Sequence, residues 1–221
     1  MREPNPAARP RSGSRPTRQR SDVRAAALAL FAGRGYRSTG IRDIATALGI
    51  GPTSVYSHIS AKSELLHEIV TETLDALLTE QAEAIATSSD TVEQLRRVAE
   101  TLVRYFARHP QEAVVATRDF RWAEGIGLAE ILTRRQLYRH RIEELLKRGA
   151  AEGRFTVANA KIAAFAIIEM CEAVPGWYRP DGELSETQVS YLYGEYAVRI
   201  AGVSAVLAVT PENSAAPNGP A

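Results

Sequence analysis

An all-α fold is predicted by three features of the chain. From Arg20 onward apolar residues recur at three- and four-residue spacing. No segment alternates apolar and polar residues as a strand would, and Gly, Pro or Ser–Asp groups interrupt the pattern at helix-length intervals. The expected organisation is a three-helix N-terminal unit containing a helix–turn–helix (HTH), residues 17–64, and a larger helical domain, residues 65–209. Seven of the eleven prolines fall in residues 1–16 or 211–221. The ends, a basic arm at 1–16 and a tail at 210–221, are therefore expected to be disordered.

The first helix runs from Arg20 to Gly33 and aligns Val23, Ala26, Ala27, Leu30 and Phe31 on one face. A turn from Gly35 to Gly40 follows, with Ser38 or Thr39 as the expected N-cap of the next helix. Ile41, Ile44, Ala45 and Leu48 form an apolar stripe two turns long. Gly49 tolerates a positive φ and ends that helix, and Pro52 suits the first position of another. In the second helix of the pair Val55 and Ile59 turn inward, leaving Thr53, Ser54, Tyr56, Ser57 and His58 outside. Small hydrogen-bonding groups on a short braced helix fit the major groove of DNA. Ser60 and Glu64 then mark the start of a fourth helix.

Phe31–Thr39, Ile44-Ala45, Ser54–Ile59 and Lys62–Leu65 together resemble the DNA-binding domain of the TetR family, over about Thr17 to Thr79. The resemblance implies a ligand-responsive regulator, by default a repressor, binding a palindromic double-stranded operator as a homodimer. It places Thr53, Ser54 and Ser57 near base edges and Tyr56 and His58 near phosphates or a thymine methyl. Thr39, Arg42 and Lys62 would lie on phosphates. Pro52 stands where many members carry a side chain able to touch the DNA backbone. The Arg-rich arm reads either as an extra DNA contact or as a solvated tail; with 24 arginines against 3 lysines, arginine is abundant throughout.

The remainder reads as helices. Leu65 to Ile85 is a long amphipathic segment broken at Ser88-Ser89-Asp90, and Val92 to Phe106 forms the next, ending at His109-Pro110. A short helix follows Pro110. Gly125 and Gly127 interrupt before Leu128 to about Glu152, and Gly153-Arg154-Phe155 turns the chain. Val157–Val174 is apolar nearly all round, and Leu184–Val209 follows the loop Pro175–Gly182. A helix apolar on most faces is buried on most faces, which points to a second copy. The resemblance likewise implies dimerisation through the last two helices, and Ile168, Cys171, Tyr191, Tyr196 and Ile200 are the expected interface residues. Val174–Ser185 also resembles the joint between these helices in TetR regulators of fatty-acid and steroid catabolism, which respond to acyl-CoA thioesters.

Phe106, Phe120, Trp122, Tyr138, Phe165 and Met170, together with Tyr105, read either as core or as the lining of an apolar effector pocket. Arg121, with Arg118 and His140, could meet an anionic head group. The small-molecule effector expected is hydrophobic or of acyl-CoA type. The alternatives, an all-α enzyme or a helical interaction module without DNA binding, find little in the chain. Four scattered histidines lack metal-ligand spacing, and nucleophile-elbow, P-loop and dinucleotide motifs are absent. No catalytic residues, cofactor or metal are expected. The lone Cys171, the lack of a bilayer-length apolar run and the lack of a secretory signal predict a cytoplasmic protein without membrane partners. The net charge of +1 means that attraction to nucleic acid must be local.

Overall fold

The computed structural model describes residues 19–203; the basic arm at 1–16 and the tail at 210–221 lie outside them. All regular structure among the described residues is helical. The first three helices are α1 (Arg20–Arg34), α2 (Ile41–Leu48) and α3 (Pro52–Tyr56). The long α4 (Lys62–Ala86) leads to α5 (Thr91–Arg108) and α6 (Pro110–Val114). From α6 the chain continues as one π turn, Val115–Asp119, and one 3-10 turn, Phe120–Trp122. Then come α7 (Gly125–Ala151), α8 (Ala160–Glu172), α9 (Val174–Trp177) and α10 (Glu186–Ile200).

Helix ends follow polar groups that the apolar pattern does not contain. Gly40, not Ser38 or Thr39, caps α2, its N–H donating to Asp43 at 2.6 Å. Ser60 lies one residue before the Ala61 cap of α4, and its N–H donates to Glu64 at 2.8 Å. Asp90 and Asn159 accept from backbone N–H groups and open α5 and α8, so α8 begins at Ala160 rather than Val157. Ser185 pairs with Gln188 in a capping box at α10, which ends at Ile200. Gly125 and Gly127 do not interrupt α7. It starts at Gly125, and Gly127 lets it approach α4: a Cβ there would lie 3.0 Å from the His67 ring.

Two apolar clusters divide the molecule. One joins α4, α5, α7, α8 and α10 around Leu95, Leu102, Phe106, Ile142, Leu146 and Ile167. The other holds Val23, Phe31, Ile44, Val55, Leu65 and Ile69, and it also takes in Val115, Ala116, Ala123 and Ile131. Apolar packing therefore runs without a break across residue 64. The small N-terminal unit is seated on α4, the π turn and α7 rather than tethered by a linker.

Candidate DNA reader and effector clefts

The helix pair is built as a rigid base with an open face. Gly49 takes φ +66° and reverses the chain after α2, and Pro52 occupies the first turn of α3. Ile44, Ala45, Val55 and Ile59 are sealed beneath. Thr53, Ser54, Tyr56 and Ser57 are exposed, Tyr56 by 56 %, and Arg42 is exposed on the first turn of α2. Ser57 Oγ donates to the Ser54 carbonyl at 2.7 Å. His58 is half-buried, and its carbonyl accepts from Arg20 at 2.9 Å. Arg20 pairs with Glu64 and Glu68, and Arg24 with Glu68 and Glu72, which binds α1 to α4.

Two expected phosphate contacts are turned inward. Thr39 is 1 % exposed, and its hydroxyl donates to the Gly35 carbonyl at 2.9 Å. Lys62 Nζ donates to the carbonyls of Tyr36 (2.8 Å) and Thr39 (2.7 Å) and lies 4.0 Å from the Tyr36 ring centroid. Desolvation lowers the pKa of this ammonium, partly opposed by Asp43. These carbonyls lie in a turn rather than a helix; that of Tyr36 also accepts the Thr39 N–H at 3.3 Å, and the sequence pattern gives no sign that a cation joins them. Lys62→Ala should lower stability by about 1–3 kcal/mol through the loss of charge-assisted hydrogen bonds. It should leave the salt dependence of DNA binding unchanged. Urea unfolding and a salt titration check this, and a slope reduced by one charge at unchanged stability would return Lys62 to the phosphates.

At the same Tyr36 turn, a joint that periodicity misses fastens the reader to the second domain. Asp119, 2 % exposed in the π turn, accepts from the Tyr36 N–H at 3.2 Å and pairs with Arg118 at 2.9 Å. Arg118 also donates to the Phe31 (2.5 Å) and Ala32 (3.3 Å) carbonyls at the end of α1. Arg118 is thus a cap on a helix C-terminus and not a free anion ligand.

The expected effector residues separate. Phe120 and Arg121 line a cleft of about 320 Å³ with Thr117, Arg135, Glu169, Glu172 and Ala173. Arg135 stacks on Phe120 at 4.4 Å and stands 3.9 Å from Glu172, whose burial pushes its carboxyl up to about 7. Phe106 and Tyr138 are core, with Tyr138 Oη buried and without a hydrogen-bond partner among the described residues. Met170 is half-buried against the same core. Phe165 is 40 % exposed on the surface, with Arg139 4.7 Å from its ring, so it does not line an interior pocket. Trp122 borders clefts at the seam between the reader and the second domain. His140 is exposed beside Glu144.

The expected interface set also divides. Tyr191, Tyr196 and Ile200 are exposed on α10. Ile168 and Cys171 are corrected to core: both are sealed among α5, α7 and α8, and the Cys171 thiol faces the Ala99 carbonyl. Exposed Ile162, on the other side of α8, was missed because that helix is apolar nearly all round. Among the described residues, no helix is long and apolar enough to cross a membrane. No cluster of His, Cys, Asp and Glu among them could hold a metal ion.

Residues 23–69 match the family of bacterial regulatory proteins, tetR family. Residues 88–201 match the tetracyclin repressor-like C-terminal domain, so the two matches together span most of the chain. The chain belongs to the TetR family. It is a DNA-binding transcription regulator and not an enzyme. The HTH-type transcriptional repressor KstR2 of Mycolicibacterium smegmatis is 26 % identical over 197 residues, covering 88 % of this chain and 95 % of that protein. A tetR-family regulatory protein from Rhodococcus RHA1 superimposes with a TM-score of 0.78 at 25 % identity, covering 87 % and 100 % of the two chains. The ketosteroid transcriptional regulator KstR2 of Mycobacterium tuberculosis gives 0.75 at 26 % identity, covering 81 % and 93 %.

Proposed function

We propose that this regulator is a cytoplasmic, homodimeric repressor of a palindromic operator, released by a small molecule with an apolar body. The observation that carries the reading is the surface of α8 and α10. Ile162, Phe165, Tyr191, Tyr196 and Ile200 stand in solvent there, with Ile162 66 % exposed, on helices whose other faces are packed. Apolar side chains grouped on neighbouring helices mark an interaction surface, and a second copy satisfies it with closed symmetry. A dimer sets two α3 helices on two half-sites, which raises affinity far beyond that of one short helix. In this reading Thr53, Ser54 and Ser57 read base edges, and Arg42, Tyr56 and His58 reach the backbone.

The effector would enter at the Phe120 cleft. Thr117 in its wall belongs to the π turn that carries Arg118 and Asp119, so occupancy that shifts this turn is passed to α1 and Tyr36. A ligand does this only by binding the released arrangement more tightly. The ketosteroid regulator among the relatives supports an elongated apolar effector.

The test begins with selection of genomic fragments bound by the full chain. An inverted repeat occupied by two copies is expected. Phe165→Glu with Tyr196→Glu should give a folded monomer by sedimentation and circular dichroism, with operator affinity down by at least 100-fold. A monomeric wild-type protein bound to a single unrepeated site would overturn the reading.

A further inference from the structure

Beside the reader lies a second cleft, of about 530 Å³, that shares Arg121 with the Phe120 cleft and whose other lining residues the operator and effector readings do not use as ligands. Its walls come from Gly33–Ser38, the end of α1 and the turn that follows, and from Arg118, Asp119, Arg121 and Trp122 of the second domain. Four arginines, Arg34, Arg37, Arg118 and Arg121, border it against one acidic residue, Asp119. Among the described residues, Arg118 alone of the four has a carboxylate partner, Asp119 at 2.9 Å. Arg34, Arg37 and Arg121 are exposed, and among the described residues none of the three has an ion-pair partner. Trp122 is 40 % exposed, with the Arg37 guanidinium 4.6 Å from its ring.

Like charges gathered round a concavity repel one another, and a multivalent anion removes that repulsion. Guanidinium forks match phosphate oxygens two at a time, and an open indole is a stacking surface for a flat ring. We propose that this cleft binds a phosphate ester carrying an aromatic base, of the nucleoside diphosphate class. The phosphates sit among Arg34, Arg37 and Arg121, and the base stacks on Trp122. The volume falls within the range of ordinary small-molecule sites.

The same arginines could serve a DNA backbone, but the geometry favours the small ligand. Four of the ten residues in the cleft wall belong to the second domain, and the Tyr36 loop is pinned to that domain through Asp119. The exposed polar residues proposed to meet a duplex lie on α3, and none of them lines this cleft, which sits at the seam. Because Arg34 and Arg37 belong to the reader and Arg121 to the second domain, a bound diphosphate ties the two together. Occupancy therefore favours one placement of the reader.

The test is calorimetric titration of the full-length protein with ADP, pyrophosphate and adenosine at low ionic strength. ADP should bind saturably at one site per chain, and pyrophosphate more weakly. Arg34→Ala with Arg37→Ala should weaken ADP by at least about tenfold. Neither residue borders the Phe120 cleft, so failure here is separable from failure of the proposed effector site. Trp122→Ala should remove the advantage of ADP over pyrophosphate, expected at about fivefold or more, and leave pyrophosphate unchanged. Thermal unfolding of each variant checks that the fold is retained. Absence of saturable ADP binding would overturn the proposal. So would ADP binding indifferent to the arginine pair while affinity for duplex falls, which would give these residues to the DNA backbone.

Discussion

Phe31→Ala is expected to destabilise the protein by about 3–5 kcal/mol, the usual cost of emptying a buried aromatic site. The Phe31 ring has no solvent exposure. It packs edge-on against Tyr36 at 5.2 Å and belongs to the cluster that also holds Ile44, Val55 and Leu65. A loss of this size is a large share of the ~5–15 kcal/mol that typically separates folded from unfolded domains. Because Val115 and Ile131 share the cluster, the damage should reach the second domain. Urea unfolding should show a lower midpoint in one transition. Binding to any duplex should weaken in proportion to the unfolded fraction, without a change in sequence preference. A cost under about 1 kcal/mol would mean that the reader's base is held by something other than this core.

Most of the reader was legible because its signals are local. The Ile41–Leu48 stripe, a left-handed glycine at Gly49 and a proline at the next helix start each demand one backbone state, and the chain adopts all three. The failures share a different cause. Lys62 and Thr39 are polar residues of a kind normally exposed, and they were assigned to DNA by position within a pattern. Their partners, the carbonyls of Gly35, Tyr36 and Thr39, are main-chain groups that no side-chain pattern reveals. In α8 the apolar residues surround the helix, so periodicity could not separate Ile168 and Cys171, which point inward, from Ile162 and Phe165, which point outward. Gly127 read as a break, yet it is a contact point, since its missing side chain is what allows α7 to lie against His67. The Asp119 joint depends on a π turn, a local departure from the 3.6-residue repeat on which the helix reading relied.

Glu172 should make stability fall as pH rises from about 4.5 to 7, and Glu172→Gln should remove that contribution. Glu172 lines the Phe120 cleft with its side chain only 10 % exposed, and desolvation raises its carboxyl from an ordinary value of 4.5 to about 7. Arg135 opposes the rise from 3.9 Å, beyond hydrogen-bond reach, and Glu169 adds to it. Tyr138 and Cys171, packed nearby, offer no positive charge. The sign follows from proton counts. Between pH 4.5 and 7 the folded protein keeps the Glu172 proton while the unfolded chain has lost it, so each increment of pH favours unfolding. The full penalty is present above pH 7 and is on the order of 3 kcal/mol, taking about 1.4 kcal/mol per unit of pKa. The glutamine variant should therefore match the wild type near pH 4.5 and exceed it by about that amount at pH 8, as urea unfolding at the two values would show. If the two proteins keep the same pH slope, the carboxyl is hydrated or paired in the native state. A ligand that brings a hydrogen-bond donor to Glu172 would relieve the same penalty, so its binding should tighten as pH rises through 7. A cleft able to stabilise this charge only when occupied couples ligand to the arrangement of α8, the π turn and the end of α1.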